Sequence, residues 1–164
     1  MKMVIGDMEN IRCSQSGGIL ADKKKVLFVC VHNSARSQIA EALLKKLAGD
    51  RFEVESAGLE PGKLNPLAIE SMKEIGIDIS QSKTKSAFDF YKAGKKYDYV
   101  VTVCDESQSG QCPVFPGDGQ KLHWGFDDPS SLKGTWDERL EKTRKIRDQI
   151  KQKIEVFIAQ CPPL

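Results

Sequence analysis

Cys30 and Arg36 bracket the run Cys30-Val31-His32-Asn33-Ser34-Ala35-Arg36-Ser37. The run follows the apolar stretch Val26-Leu27-Phe28-Val29 and leads into a helical pattern from Arg36 to Leu47. A strand–turn–helix junction presents backbone N–H groups at the start of its helix, and these form a cradle for an anion. An arginine in the same turn adds a planar fork of donors that can hold two oxygens at once. The positive field of such a turn favours the thiolate of Cys30 over its thiol. One loop could therefore bind a tetrahedral oxyanion through His32, Asn33, Ser34, Ala35 and Arg36 and attack it through Cys30. The competing reading is a buried strand-end cysteine, because free cysteine is among the most buried residue types. The arginine, Ser37 beside it and the strand–turn–helix setting favour the reactive reading.

Two further thiols extend this chemistry. Cys104 closes the apolar stretch Tyr99-Val100-Val101-Thr102-Val103, and Cys112 follows the polar segment Asp105-Glu106-Ser107-Gln108-Ser109-Gly110-Gln111. That segment has no apolar pattern to hold it rigidly, so mobility is expected there. Two thiols near a reactive thiolate suit disulfide exchange, which passes from sulfur to sulfur through a mixed disulfide. Zinc binding fits poorly, because the gap exceeds the usual ligand spacing and His123 is the only nearby partner. No metal is expected. Inert burial of both cysteines is the alternative.

The elements that must position these residues alternate between strand and helix. Strands are predicted at Val26–Val31, Phe52–Ser56, Tyr97–Val103 and Lys121–Trp124. The helix after Cys30 carries Ile39, Ala40, Leu43, Leu44 and Leu47 on one face. Asn65-Pro66 opens the next, with asparagine as N-cap and proline at the first helical position. Ala68, Ile69, Met72 and Ile75 are expected to face inward, and Gly76 to stop it. A short helix follows the polar linker from Ser80 to Ser86. The last helix begins with the capping box Thr135-Trp136-Asp137-Glu138. Its stripe of Trp136, Leu140, Ile146, Ile150, Ile154 and Phe157 reads as core. This alternation predicts an α/β fold with a parallel four-stranded sheet flanked by helices. Ligands of such sheets sit beyond the carboxyl ends of the strands, where Cys30 and Cys104 both fall.

The chain has 164 residues, enough for one domain with a proper core. Residues 1–22 read as a flexible extension and 23–164 as the single domain. A net charge of +2 gives no reason to expect nucleic acid or a membrane surface as partner. The first residues lack the apolar run of a secretory leader, and no segment could span a bilayer. A cytoplasmic location and a monomer are the expectations. In that compartment the five cysteines are expected as thiols rather than as a disulfide framework.

On these residues the chain resembles the arsenate reductases of the low-molecular-weight tyrosine phosphatase fold, the type recharged by thioredoxin. The resemblance spans about residues 24 to 158. It rests on Cys30–Ser37, on Glu53-Val54-Glu55-Ser56-Ala57-Gly58 and on Leu64-Asn65-Pro66 with the helix behind it. Val101-Thr102-Val103-Cys104, Cys112-Pro113 and His123-Trp124-Gly125-Phe126-Asp127-Asp128-Pro129 complete it. It implies that Cys30 attacks arsenic(V) while Arg36 and the loop N–H groups hold the oxygens. Ser37 would hydrogen-bond the thiolate, and Asn33 would fix the loop shape. Asp128, preferred to Asp127, would protonate the departing hydroxide. A plain reading of Asp128 also exists, since aspartate before proline is a common turn former. Cys104 and Cys112 would carry the oxidation to an exposed disulfide, reduced by thioredoxin or glutaredoxin. No bound cofactor is implied, only an external thiol reductant.

Three features depart from the family pattern. The Cys104–Cys112 gap is one residue longer than usual. Of the four positions that hold a potassium ion in some members, Asn33, Glu41 and Ser56 match, but Lys85 stands where a carboxylate is expected. Potassium dependence is therefore not expected. His32 and Ala35 vary from the residues often seen in the loop, and His32 reads as loop support. The rival activity is phosphomonoester cleavage of the tyrosine-phosphatase type, through a phosphocysteine. Ser130-Ser131 stands where those phosphatases place aromatic residues, which weighs against it. A non-catalytic oxyanion or redox sensor is the rival from another class.

Overall fold

The computed structural model describes residues 23–104, 113–117 and 119–161. The expected extension 1–22, the polar segment 105–111 and Cys112 lie outside these residues. The elements run β1 (Lys24–Cys30), α1 (Arg36–Ala48), β2 (Phe52–Gly58), α2 (Pro66–Lys73), α3 (Ala87–Lys92), β3 (Tyr99–Thr102) and β4 (Gln120–His123). A 3-10 turn at Pro129–Ser131 and a long final helix, α4 (Trp136–Gln160), complete them. The predicted elements are present, with their ends displaced by a few residues.

The four strands form one parallel sheet in the order β2-β1-β3-β4. Helices cover both faces, which is why the central strands read as unbroken apolar runs. On one face Val26, Phe28 and Val101 meet Ile39 and Leu43 of α1, Met72 of α2 and Ile150 and Phe157 of α4. On the other, Leu27, Val29 and Val100 meet Ala87, Tyr97 and Phe115. Trp124, just past β4, sits 5.7 Å from Phe157 and 5.9 Å from Phe28, ring centre to ring centre. Such aromatic pairs add about 0.5–1.5 kcal/mol each beyond the area they bury. They tie the strand end that leads toward Asp128 into the core.

The caps follow the sequence. Asn65 accepts from the N–H of Leu67 with Pro66 at the first helical position, and Thr135 accepts from the N–H of Glu138. Three residues expected in the core are outside it. Leu47 is 43% exposed, because the covered face at the end of α1 runs through Leu44 and Ala48. Trp136 is 43% exposed in the first turn of α4, with the Arg139 guanidinium 5.9 Å from its ring. Ile75 falls in the turn beyond α2 and is exposed.

Candidate active site

Parallel pairing brings the carboxyl ends of β1 and β3 side by side. Val29 lies opposite Thr102, and the Val103 N–H donates to Val29 O at 2.8 Å. Cys30 thus ends β1 and Cys104 lies two residues past the neighbouring β3, and both are thiols buried to 2% and 1% exposure. On the other side of β1, Cys30 lies opposite Gly58. A Cβ at Gly58 would lie 2.7 Å from Asn33 N and from His32 C, so the loop can pass this close only to glycine.

From Cys30 the chain turns through Asn33, the one non-glycine with positive φ (53°) among the described residues. Asparagine tolerates this left-handed conformation better than most side chains. The turn aims the Asn33 N–H at Cys30 Sγ, 3.1 Å away. Residues 59–65 then run along the loop and take its carbonyls. Leu59 N donates to Cys30 O, Glu60 N to Val31 O, Gly62 N to His32 O and Asn65 N to Ser34 O. Held this way, the carbonyl dipoles keep their negative ends out of the cradle.

The start of α1 completes the loop. Its N-cap position is Ala35, with no side-chain cap bond and no acidic residue in the first turn. The N–H groups there are thus not consumed by a capping side chain, the condition an anion-binding helix start requires. Ser37 Oγ lies 2.8 Å from Cys30 Sγ and accepts from Asn33 Nδ2 at 2.7 Å. Arg36 is buried, with Nη1 donating to Phe126 O at 3.1 Å and Nη2 3.4 Å from Asp128 Oδ2.

Asp128 reaches the arginine from the far side of the chain. Its Oδ1 accepts from the Ser130 N–H at 2.9 Å, so it caps the 3-10 turn as an aspartate before proline does. Its Oδ2 faces Arg36, so the turn that Asp128 forms also carries its carboxylate to the arginine. Asp127 is exposed. The Ser130 hydroxyl accepts from Asn65 Nδ2 at 3.2 Å, linking this turn to the segment that anchors the loop.

The remaining expected residues fall as follows. His32 is exposed, and its Nδ1 lies 2.8 Å from the Glu60 carbonyl, so its side chain supports the loop. Ser34 and Ala35 are buried in the turn. Lys85 Nζ lies 3.8 Å from Glu41 Oε1 and donates to Lys83 O at 3.1 Å. Among the described residues, no three His, Cys, Asp or Glu side chains are grouped to hold a metal. His123 bonds Thr102 Oγ1 through Nδ1 at 2.8 Å. Cys161 departs from the expectation of thiols alone: it is disulfide-bonded, buried where the Tyr99 hydroxyl lies 3.7 Å from its Sγ.

Sequence reasoning missed Gln38, the Phe126 carbonyl and the bridging role of Asn65. Gln38 gives no local signal, being one more polar residue in a helix. The other two depend on contacts made only by folding.

Sheet order, loop and carboxylate together define a class: α/β proteins with a cysteine at a strand end, set in a loop of N–H donors and an arginine. Residues 25–161 match the low molecular weight phosphotyrosine protein phosphatase family, and the chain belongs to it. An arsenate reductase of Halalkalibacterium halodurans is 43% identical over 136 residues, spanning 83% of this chain and 96% of its own. A solved arsenate reductase in its phosphate-binding state superposes with a TM-score of 0.67 at 34% identity, covering 85% of this chain and 99% of that one. The thioredoxin-dependent arsenate reductase of Corynebacterium glutamicum gives a TM-score of 0.57 at 32% identity, covering 85% of this chain and 66% of that one.

Proposed function

We propose that this protein is an arsenate reductase that works through Cys30, Cys104 and Cys112 and is recharged by an external dithiol protein. The observation that carries the reading is the second buried thiol, Cys104, just past the strand beside Cys30. Ester cleavage needs one nucleophilic thiol; a two-electron reduction needs a dithiol. The arsenate reductases among its relatives, and the thioredoxin dependence of one of them, support it further.

The Cys30 thiolate attacks arsenic(V), with Arg36 and the loop N–H groups on the oxygens. Hydroxide leaves with a proton from Asp128, since a poor leaving group requires a general acid. The Cys104 thiolate then attacks Cys30 Sγ. The S–As bond breaks with its electron pair on arsenic, which departs as arsenite, and a Cys30–Cys104 disulfide forms. Cys112 attacks Cys104 Sγ and frees the Cys30 thiolate. The external dithiol reduces the Cys104–Cys112 bridge. Two electrons enter and two leave, so no bound redox cofactor is required. Lys85, beside Glu41, supplies the positive charge that a potassium ion gives in other members, and the enzyme works without that ion. A cytoplasmic location fits this chemistry, and no helix among the described residues is long and apolar enough to cross a membrane.

The test is a disulfide map by mass spectrometry after arsenate is added to fully reduced protein without external reductant, with phosphate as control. A new Cys104–Cys112 bridge and one arsenite per chain are expected. Unchanged thiols would leave Cys30 and Arg36 to a phosphatase or an oxyanion sensor.

A further inference from the structure

Gln38 lies in the first turn of α1, just past Ser37, and is fully buried. Its Nε2 donates to Asn33 Oδ1 at 3.0 Å and to Lys83 O at 2.9 Å. Its Oε1 is buried and finds no hydrogen-bond partner among the described residues. An unsatisfied buried acceptor carries its full desolvation cost. Turning the amide over would not relieve it, because Oε1 would then face two carbonyl oxygens. The chain retains an amide that is satisfied only at its donor end. That points to a need for donors at Asn33.

Asn33 Oδ1 accepts from Gln38 and from the Lys85 N–H, each at 3.0 Å. Its Nδ2 must then face Ser37 Oγ and Ser56 Oγ, at 2.7 and 3.0 Å. A hydroxyl has one proton to donate. Ser37 accepts from Asn33, so that proton is directed to Cys30 Sγ, 2.8 Å away. A hydrogen bond to the charged form of a group favours that form.

We propose that Gln38 is a positioning residue for the nucleophile: by holding the Asn33 amide it keeps the Ser37 proton on Cys30 sulfur and sustains the thiolate. It acts through two intervening side chains. The proposal concerns Cys30 before any acceptor arrives, so it applies to arsenate reduction and ester cleavage alike. Its failure would leave the relay intact, and failure of the relay would leave it standing.

The experiment follows alkylation of Cys30 by iodoacetamide between pH 5 and 10 in the reduced full-length chain, read peptide by peptide by mass spectrometry. Gln38→Met keeps the shape and removes both donors. Near pH 6–7 it should slow Cys30 alkylation roughly tenfold. The two profiles should meet at alkaline pH, where the Ser37 proton is no longer needed to form the thiolate. In a Ser37→Ala background the same change should add little, because both variants break one chain of contacts. Three results would overturn the proposal: an unchanged profile, a slowing that persists at alkaline pH, or effects that multiply in the double variant. If Gln38→Met does not fold, Gln38→Leu is read against the same profiles.

Discussion

Arg36 and Asp128 meet at 3.4 Å, and that contact places one of two adjacent carboxylates beside the loop. Asp128 is held by the N–H of Ser130 and turned toward the arginine, while Asp127 stands exposed. Asp128→Asn should therefore slow single-turnover arsenite release about 10²–10⁴-fold, the usual weight of a general acid. Phosphate binding, measured by calorimetry, should change far less, because the loop donors are untouched. Lys85 carries a second prediction at this scale. Its ammonium stands 3.8 Å from Glu41, so potassium added against a sodium control should leave activity unchanged. Lys85→Asp should make activity respond to potassium, because it restores a carboxylate and removes the competing charge.

At the scale of elements, the strands and their connections build the loop as much as its own residues do. Gly58 ends β2 against the loop backbone, and the segment behind it occupies four loop carbonyls. Gly58→Ala would drive a methyl into backbone atoms that cannot swing aside. It should abolish phosphate binding by calorimetry and lower the melting temperature. Helices α2 and α4 are joined beside this frame by Glu74, which accepts from Arg144 Nε and Nη2 and lies 3.4 Å from Arg147 Nη1. The hydrogen bond from Arg144 holds the Glu74 carboxyl below its ordinary range. Its contribution to stability is present above that range and is lost as pH falls through the lowered value. Glu74→Gln should therefore lower the melting temperature slightly and evenly at neutral and alkaline pH and flatten part of its fall on the acid side.

For the whole molecule, sheet order is what turns a loop motif into a candidate redox enzyme. With β3 beside β1, the thiol just past β3 lies at the same end of the sheet as the loop after Cys30. Cys104→Ser should accordingly abolish arsenite release while Cys30 remains open to alkylation, measured on the same sample by peptide mass spectrometry. Loss of both reactivities together would mean that Cys104 supports the loop rather than the relay.

Much of this was legible in the order of residues. The loop after Cys30 is a local object: strand, turn and helix start lie within one short run, and its N–H donors, Arg36 and Cys30 are neighbours in the chain. The caps at Asn65 and Thr135 are local for the same reason, since a side chain bonds a backbone group two or three residues on. Alternation of apolar strands with helical patterns announced the parallel sheet. Folding decided the rest. The contacts of Arg36 with Phe126 and Asp128, of Gln38 with Lys83, and of Asn65 with Ser130 join segments far apart in the chain. Leu47 and Trp136 show the same limit from the other side, because helical period says which residues share a face but not where that face stops being covered. Composition and spacing govern interactions that close within a few residues. Which distant groups meet is set by strand register and core packing, and these exist only once the whole chain has condensed.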